Sequence, residues 1–240
     1  MKWPDITCLC PTGGRFERLR ESLAFFLAQE YPGRARLLIF SESRGESYLT
    51  ADVPGVRACN VGAFETLGHK RQALLENADT PLVAHWDDDD VYLPDHLTRS
   101  VRHLLAQGVD AVKARGAYYL TGPRGKLDNR GVHHNVFEGT MVFRREAALA
   151  VGGYPPIHSG QALALWRAFG TRRSRLPEPP TYAYRWNDGL GHISALAAGK
   201  KRLTVRELYD RRNTDHGSGW LTPAPIGEYY RAVGLDTDVQ

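Results

Sequence analysis

Four consecutive aspartates, Asp87 to Asp90, follow directly on the apolar run Leu82-Val83-Ala84-His85-Trp86. Carboxylates this close repel one another unless a cation compensates. Side chains alternate along an extended chain, so Asp87 and Asp89 can point the same way at a strand's C-terminal end, where open α/β sheets place their ligands. Two hard oxygen donors with open coordination positions suit Mg2+ or Mn2+ bridging to a diphosphate. The plain alternative is a solvated acidic turn.

The elements that must position these acids are legible in the apolar spacing. Ile6 to Cys10 reads as a buried strand broken at Pro11-Thr12-Gly13-Gly14, and Phe16, Leu19, Leu23, Phe26 and Leu27 recur at helical spacing. Leu37 to Phe40 reads as a second strand, completing a βαβ unit. After an irregular stretch from Asp52 to Ala63, Leu67, Arg71, Leu74, Leu75 and Ala78 mark a helix that leads into the strand before the aspartates. Pro94 suits the first turn of a helix carrying Leu97, Val101, Leu104 and Leu105 and closed by Gly108, and Asp110 to Ala114 follows as a strand. Strands separated by helices argue for an α/β fold, a mostly parallel central sheet with helices on both faces.

The second half is less regular. Residues 121 to 135 read as a loop or hairpin, Gly139 to Phe143 as a strand, and Ser159 as the cap of a helix carrying Leu163, Trp166 and Phe169. A Pro-rich connector, Pro177 to Pro180, leads to a strand over Thr181 to Trp186, and Thr204 and Glu207 have capping-box spacing for a last helix. With no internal repeat or flexible linker, residues 1–240 read as one domain, residues 1–115 forming one half and 116–240 the other with a C-terminal tail.

The chain has 240 residues, 42% of them hydrophobic, a balance that supports a buried core without disulfides. Its 31 Lys+Arg against 27 Asp+Glu give a net charge of +4, compatible with an anionic ligand but short of a nucleic-acid-binding signature. Three cysteines, Cys8, Cys10 and Cys59, make no disulfide scaffold or zinc finger, and a reducing cytoplasm is the expected location. No apolar stretch is long enough to span a bilayer, although peripheral membrane contact is compatible with the basic clusters Arg172-Arg173, Lys200-Lys201-Arg202 and Arg211-Arg212.

The block Leu67-Gly68-His69-Lys70-Arg71-Gln72, followed by Ala84-His85-Trp86-Asp87-Asp88-Asp89-Asp90-Val91-Tyr92-Leu93-Pro94, resembles the GT-A glycosyltransferases of family 2. The resemblance runs from about Ile6 to Ser194 and implies the GT-A nucleotide-diphospho-sugar transferase fold, with 1–115 as the nucleotide-sugar half and 116–240 as the acceptor half. By that resemblance Asp87 faces the donor's ribose or sugar, Asp89 ligates Mn2+ or Mg2+, and Asp87, Asp88 and Asp89 line the donor, with Asp90 a supporting or alternative ligand. Pro11 and Thr12 resemble the turn that cradles the nucleoside, and Glu42 an acid that accepts a hydrogen bond from the base; all three also suit plain loop positions. Arg71 matches a basic position beside the nucleotide, and it falls on the apolar stripe of its helix rather than opposite it. Gly139 resembles a glycine that admits the sugar by close backbone approach, or merely eases a bend. His192 resembles a histidine that reaches the metal or diphosphate, or is a surface-loop histidine.

One departure stands against these matches. Family 2 enzymes carry a Glu-Asp pair at the start of the helix after the Gly-Gly segment, the aspartate being the base for inverting transfer. In Ser159-Gly160-Gln161-Ala162-Leu163-Ala164-Leu165-Trp166 that position is Ala162, which cannot take a proton. Three explanations compete: an inverting enzyme inactivated by replacement of an aspartate at 162, a retaining transferase in which a donor phosphate oxygen serves as base, or a binding module for a nucleotide-sugar or glycan. The implied partners are a nucleoside-diphosphate sugar and a glycan or other hydroxyl acceptor. A metal-dependent nucleotidyltransferase or phosphohydrolase would also use clustered aspartates, but leaves Gly152-Gly153-Tyr154 and Tyr184-Arg185-Trp186 unexplained.

Overall fold

The structure is a computed structural model, which describes residues 2–13, 16–42, 53–121, 126–127, 133–134, 138–177 and 179–186. Its centre is a seven-stranded sheet. Strands β1 (Ile6–Thr12), β2 (Ala35–Ser41), β3 (Val56–Asn60), β4 (Leu82–His85), β6 (Ala111–Ala114), β10 (Val142–Arg144) and β11 (Arg173–Leu176) lie in the order β11-β6-β10-β4-β1-β2-β3. All neighbours are parallel except β10, which runs antiparallel to both β4 and β6.

Alternation along the strands divides the core into two layers. Ile6, Cys8 and Cys10 of β1 pack with Leu19, Leu23 and Phe26 of α1 (Phe16–Leu27) and Leu97, Val101 and Leu104 of α3 (His96–Gln107). Leu9 and Val83, facing the other way, pack with Leu74 and Leu75 of α2 (Leu67–Asn77), Ala148 of α4 (Arg145–Ala150) and Leu165, Trp166 and Phe169 of α5 (Gln161–Ala168) and its end. Helices thus cover both faces of the mostly parallel sheet, as the sequence implied. A smaller sheet pairs β5 (Val91–Tyr92), β12 (Tyr182–Trp186), β7 (Gly116–Thr121) and β8 (Lys126–Leu127), with β9 (His133–His134) also on β7.

Several local expectations are corrected. The stretch from Asp52 to Ala63 holds β3, an edge strand whose residues are only partly buried, so it lacks the apolar run that marks a central strand. The strand expected over Gly139 to Phe143 begins at Val142; Glu138–Thr140 form a 3-10 turn closed by the Met141 amide on the Glu138 carbonyl at 3.0 Å. Ser159 does not cap α5: Gly160 does so with φ of 78°, a left-handed conformation that favours glycine. Pro94 precedes the first turn of α3 rather than entering it, with Asp95 at the cap, while Gly108 ends the helix in the left-handed region as expected. The 121–135 stretch does contain hairpin pairing, Thr121 to Lys126. The Thr204 and Glu207 cap lies outside the described residues.

Candidate functional site

Because β1, β2 and β4 are parallel, their C-terminal ends share one edge of the sheet, and the segments leaving them supply Thr12, Glu42 and Asp87 to Asp90. Helix α2 packs beside β1 and β2 and turns Lys70 and Arg71 inward, both buried, in place of the apolar residues such a face normally carries. Its start is fixed by Thr66, whose hydroxyl accepts the His69 amide at 3.1 Å. The Lys70 ammonium bonds the Thr12 carbonyl and the Glu42 carboxylate, the latter at 3.0 Å, joining the ends of β1 and β2. The Arg71 guanidinium bonds the Asp87 carboxylate at 2.6 Å.

The four aspartates have different fates. Asp88 is buried and accepts the Thr12 hydroxyl at 2.7 Å. Asp90 is buried and accepts the Tyr182 hydroxyl and, at 2.8 Å, the Arg185 amide. These two pin the acidic turn to β1 and β12. Asp87 keeps part of its side chain exposed beside Arg71, and Asp89 lies almost wholly buried within the same turn. Burial, then the charges of Asp89 and Asp87, push the Asp90 carboxyl well above the usual carboxylate range.

Gly139 is set against this edge. A methyl group there would stand 2.9 Å from the Asp87 carboxylate and 2.8 Å from the Tyr182 hydroxyl, so the glycine admits these side chains to the backbone. The Tyr92 hydroxyl donates to the Gly139 carbonyl at 3.0 Å and accepts the Asp87 amide at 2.8 Å, fixing the turn to the aspartates. Below it, His85 is pushed down to about 3, by burial first and the Arg71 charge next, and is neutral. Its Nδ1 lies 2.5 Å from the Glu138 carbonyl, which can only accept, so Nδ1 carries the proton and Nε2 accepts the Tyr154 hydroxyl.

Among the described residues no three His, Cys, Asp or Glu side chains converge as a ready metal cage. Mg2+ and related ions are commonly held by one or two carboxylates, with substrate phosphates and water completing the sphere, and the adjacent carboxylates of Asp87 and Asp89 are of that donor type. His192, the third expected ligand, lies outside the described residues. Pro11, Thr12, Glu42, Arg71, Asp87, Asp88, Asp89 and Gly139 are brought to one edge. Ala162 sits in the first turn of α5, a helix that contacts the 138–140 turn, and is 4% exposed within the apolar layer of Leu9, Leu74 and Leu165; no residue of α5 is acidic. Lys70 is as buried as Arg71, and the hydroxyls of Tyr92, Tyr154 and Tyr182 act as positioning groups that the sequence pattern does not assign. Tyr92 and Tyr182 carry a hydroxyl within short apolar strands, and Tyr154 follows the Gly152-Gly153 turn.

No protein-family model matches the chain, and no curated protein matches it significantly. Solved structures do match. A mannosyltransferase, PcManGT of Pyrobaculum calidifontis in complex with GDP-Man and Mn2+, superposes with a TM-score of 0.58 at 17% identity, over 76% of this chain and 56% of that one. TarS of S. aureus in complex with UDP-GlcNAc superposes with a TM-score of 0.64 at 16% identity, over 82% of this chain and 62% of that one. The chain has the GT-A fold. It spans less than two thirds of the length of either GT-A structure. Within this GT-A fold, and among the described residues, no helix is long and apolar enough to cross a membrane.

Proposed function

We propose that the chain is a glycosyltransferase that binds a nucleoside-diphosphate sugar with Mn2+ or Mg2+ at Asp87 and Asp89 and transfers the sugar to an acceptor hydroxyl. The observation that carries this reading is the convergence of Asp87, Asp89 and Arg71 at the C-terminal edge of a parallel sheet. The GDP-Man, UDP-GlcNAc and Mn2+ bound by proteins of the same fold support it. Asp89 and Asp87 would hold the ion, and the ion, when bound, offsets charge on the departing diphosphate. Arg71 orients Asp87 and adds a cation to the edge that receives phosphate. Lys70 and Glu42 fix the wall on which the nucleoside lies, while Gly139 lets the 138–140 turn close against Asp87.

The acceptor hydroxyl must lose a proton, and Ala162 cannot take it. A retaining reaction, with a donor phosphate oxygen as base, needs nothing at 162; an inverting one would regain its base in Ala162→Asp. A second reading, donor binding without transfer, is favoured by the burial of Ala162 in the apolar layer. Calorimetry with GDP- and UDP-sugars should show Mn2+-dependent binding, weakened at least tenfold in Asp89→Ala. Failure of every donor to bind, or indifference to Asp89→Ala, refutes the proposal. With binding in hand, an NMR assay of the product's anomeric configuration separates the cases: transfer by the unaltered chain with retention, transfer with inversion only in Ala162→Asp, or transfer by neither, which leaves the binding module.

A further inference from the structure

Strands β6 and β11 carry a group of cations on the face covered by α5. In their parallel register Arg175 pairs with Lys113 and Arg173 with Ala111, so all four side chains point to one face, that of Trp166. The Lys113 ammonium stands 5.1 Å from the Trp166 ring centroid, as does the Arg173 guanidinium carbon, and an Arg173 N–H also bonds the Trp166 carbonyl. The indole is therefore held between two cations. Lys113 is almost fully buried and spends its charge on the Glu138 carboxylate at 3.1 Å. Asp110, the acid just before β6, is already engaged by Arg172 and Arg144. Arg173, half buried, and Arg175, exposed, are left as positive charge at the mouth of the group. Burial lowers the Lys113 pKa and Arg175 and Arg173 add to the lowering, as expected where cations are crowded.

The place of this group gives it meaning. Glu138 begins the turn whose next residue, Gly139, packs on Asp87, and the Thr140 hydroxyl of that turn accepts the Ala114 amide at 2.9 Å. Lys113 is thus joined to that turn through Glu138, and Arg175 stands beside Lys113 on the neighbouring strand and the same face, with Arg173 two residues further from the edge. An exposed arginine beside a half-buried one that is oriented by an indole makes a fork for phosphate or carboxylate oxygens.

We infer that Arg173 and Arg175, backed by Trp166 and Lys113, form a subsite for an anionic group, a phosphate or a carboxylate, carried by the acceptor. The word acceptor rests on the function proposed above; the anion site itself does not.

The test uses the full chain with its donor edge filled by nucleoside diphosphate and Mn2+. Calorimetry compares a disaccharide bearing a phosphomonoester, its uronic acid counterpart and the neutral disaccharide. The anionic probes should bind about tenfold more tightly than the neutral one, and Arg175→Gln should remove most of that preference, with Arg173→Gln and the double variant removing the rest. Arg175 is exposed, so its replacement leaves the fold intact and keeps the test decisive if Arg173→Gln disturbs Trp166. Equal binding of anionic and neutral probes, or a preference untouched by both Arg175→Gln and Arg175→Glu, overturns the inference. So does Arg175-dependent binding to phosphatidylserine vesicles without discrimination among the sugars, which would assign the cations to a membrane surface. If no nucleotide-sugar binds in separate titrations while the anion preference persists, the donor reading fails and the anion site stands.

Discussion

Replacing Gly139 by alanine tests whether the 138–140 turn is packed on the aspartates. The new methyl would lie 2.8 Å from the Tyr182 hydroxyl, 2.9 Å from an Asp87 carboxylate oxygen and 3.3 Å from the Tyr182 ring carbon that bears the hydroxyl, whereas ordinary contacts begin at 3.4 Å. Something must move by about half an ångström, and neither neighbour is free to do so cheaply. Tyr182 is buried with its hydroxyl on Asp90, and Asp87 is held by Arg71 at 2.6 Å. Overpacking of this kind costs about 1–3 kcal/mol, or roughly 2–4 °C in melting temperature per kcal/mol for a chain of this size. Urea denaturation and thermal melts measure the loss, and calorimetry should show weaker Mn2+-dependent donor binding because Asp87 is the group displaced. Gly13→Ala is the control: among the described residues nothing lies within 4 Å of a methyl there, and its stability should stay within about 0.5 kcal/mol of the unaltered chain. If Gly139→Ala is as silent as Gly13→Ala in both assays, the packing argument is wrong.

Arg71→Met should destabilise the fold by about 3 kcal/mol because it strands Asp87 without its cation; adding Asp87→Asn should recover part of that loss in denaturant melts, and additive losses would deny the pair. Burial pushes the Glu21 carboxyl up, but the Arg185 and Arg18 guanidinium groups more than reverse this and leave it below its ordinary value of 4.5. The stability from that pair, which ties α1 to β12, is present above pH 4.5 and lost as pH falls through the lowered folded-state value, so Glu21→Gln should be less stable at neutral pH and converge with the unaltered chain in acid. A constant difference across the acid range would contradict it.

The parallel half of the fold is legible because each of its central strands is an apolar run followed by a helix of regular period. Ile6 to Cys10 and Leu82 to Trp86 needed no partner to be recognised. The elements that escaped, β3, β7 and β11, lie at sheet edges or in the smaller sheet, where Arg57, Arg173 and Arg175 can face solvent and no apolar run is required. Gly139 was singled out as a site for close approach, but the sequence holds no hint that the approaching groups are Asp87 and Tyr182, one 52 residues earlier and the other 43 later in the numbering. Position 162 reads the same at both levels: an alanine by sequence and an apolar core residue by structure.

The acidic run is the clearest case of identical residues made different by topology. Asp88 and Asp90 are satisfied by Thr12, Tyr182 and the Arg185 amide, groups from β1 and β12 that only the fold brings near. Their hydrogen bonds hold the turn shut against the repulsion among four carboxylates, which would otherwise splay it into water. Arg71 offsets the charge of Asp87, and burial, followed by the charges of Asp89 and Asp87, pushes the Asp90 carboxyl up. An edge charged and fixed in advance would need no reorganisation to receive the cation of the proposed function, and such preorganisation is what electrostatic stabilisation of a departing diphosphate would require. Under the proposed function Asp87 and Asp89 would supply the ligands, and the hydrogen bonds of Asp88 and Asp90 the rigidity that holds them in place.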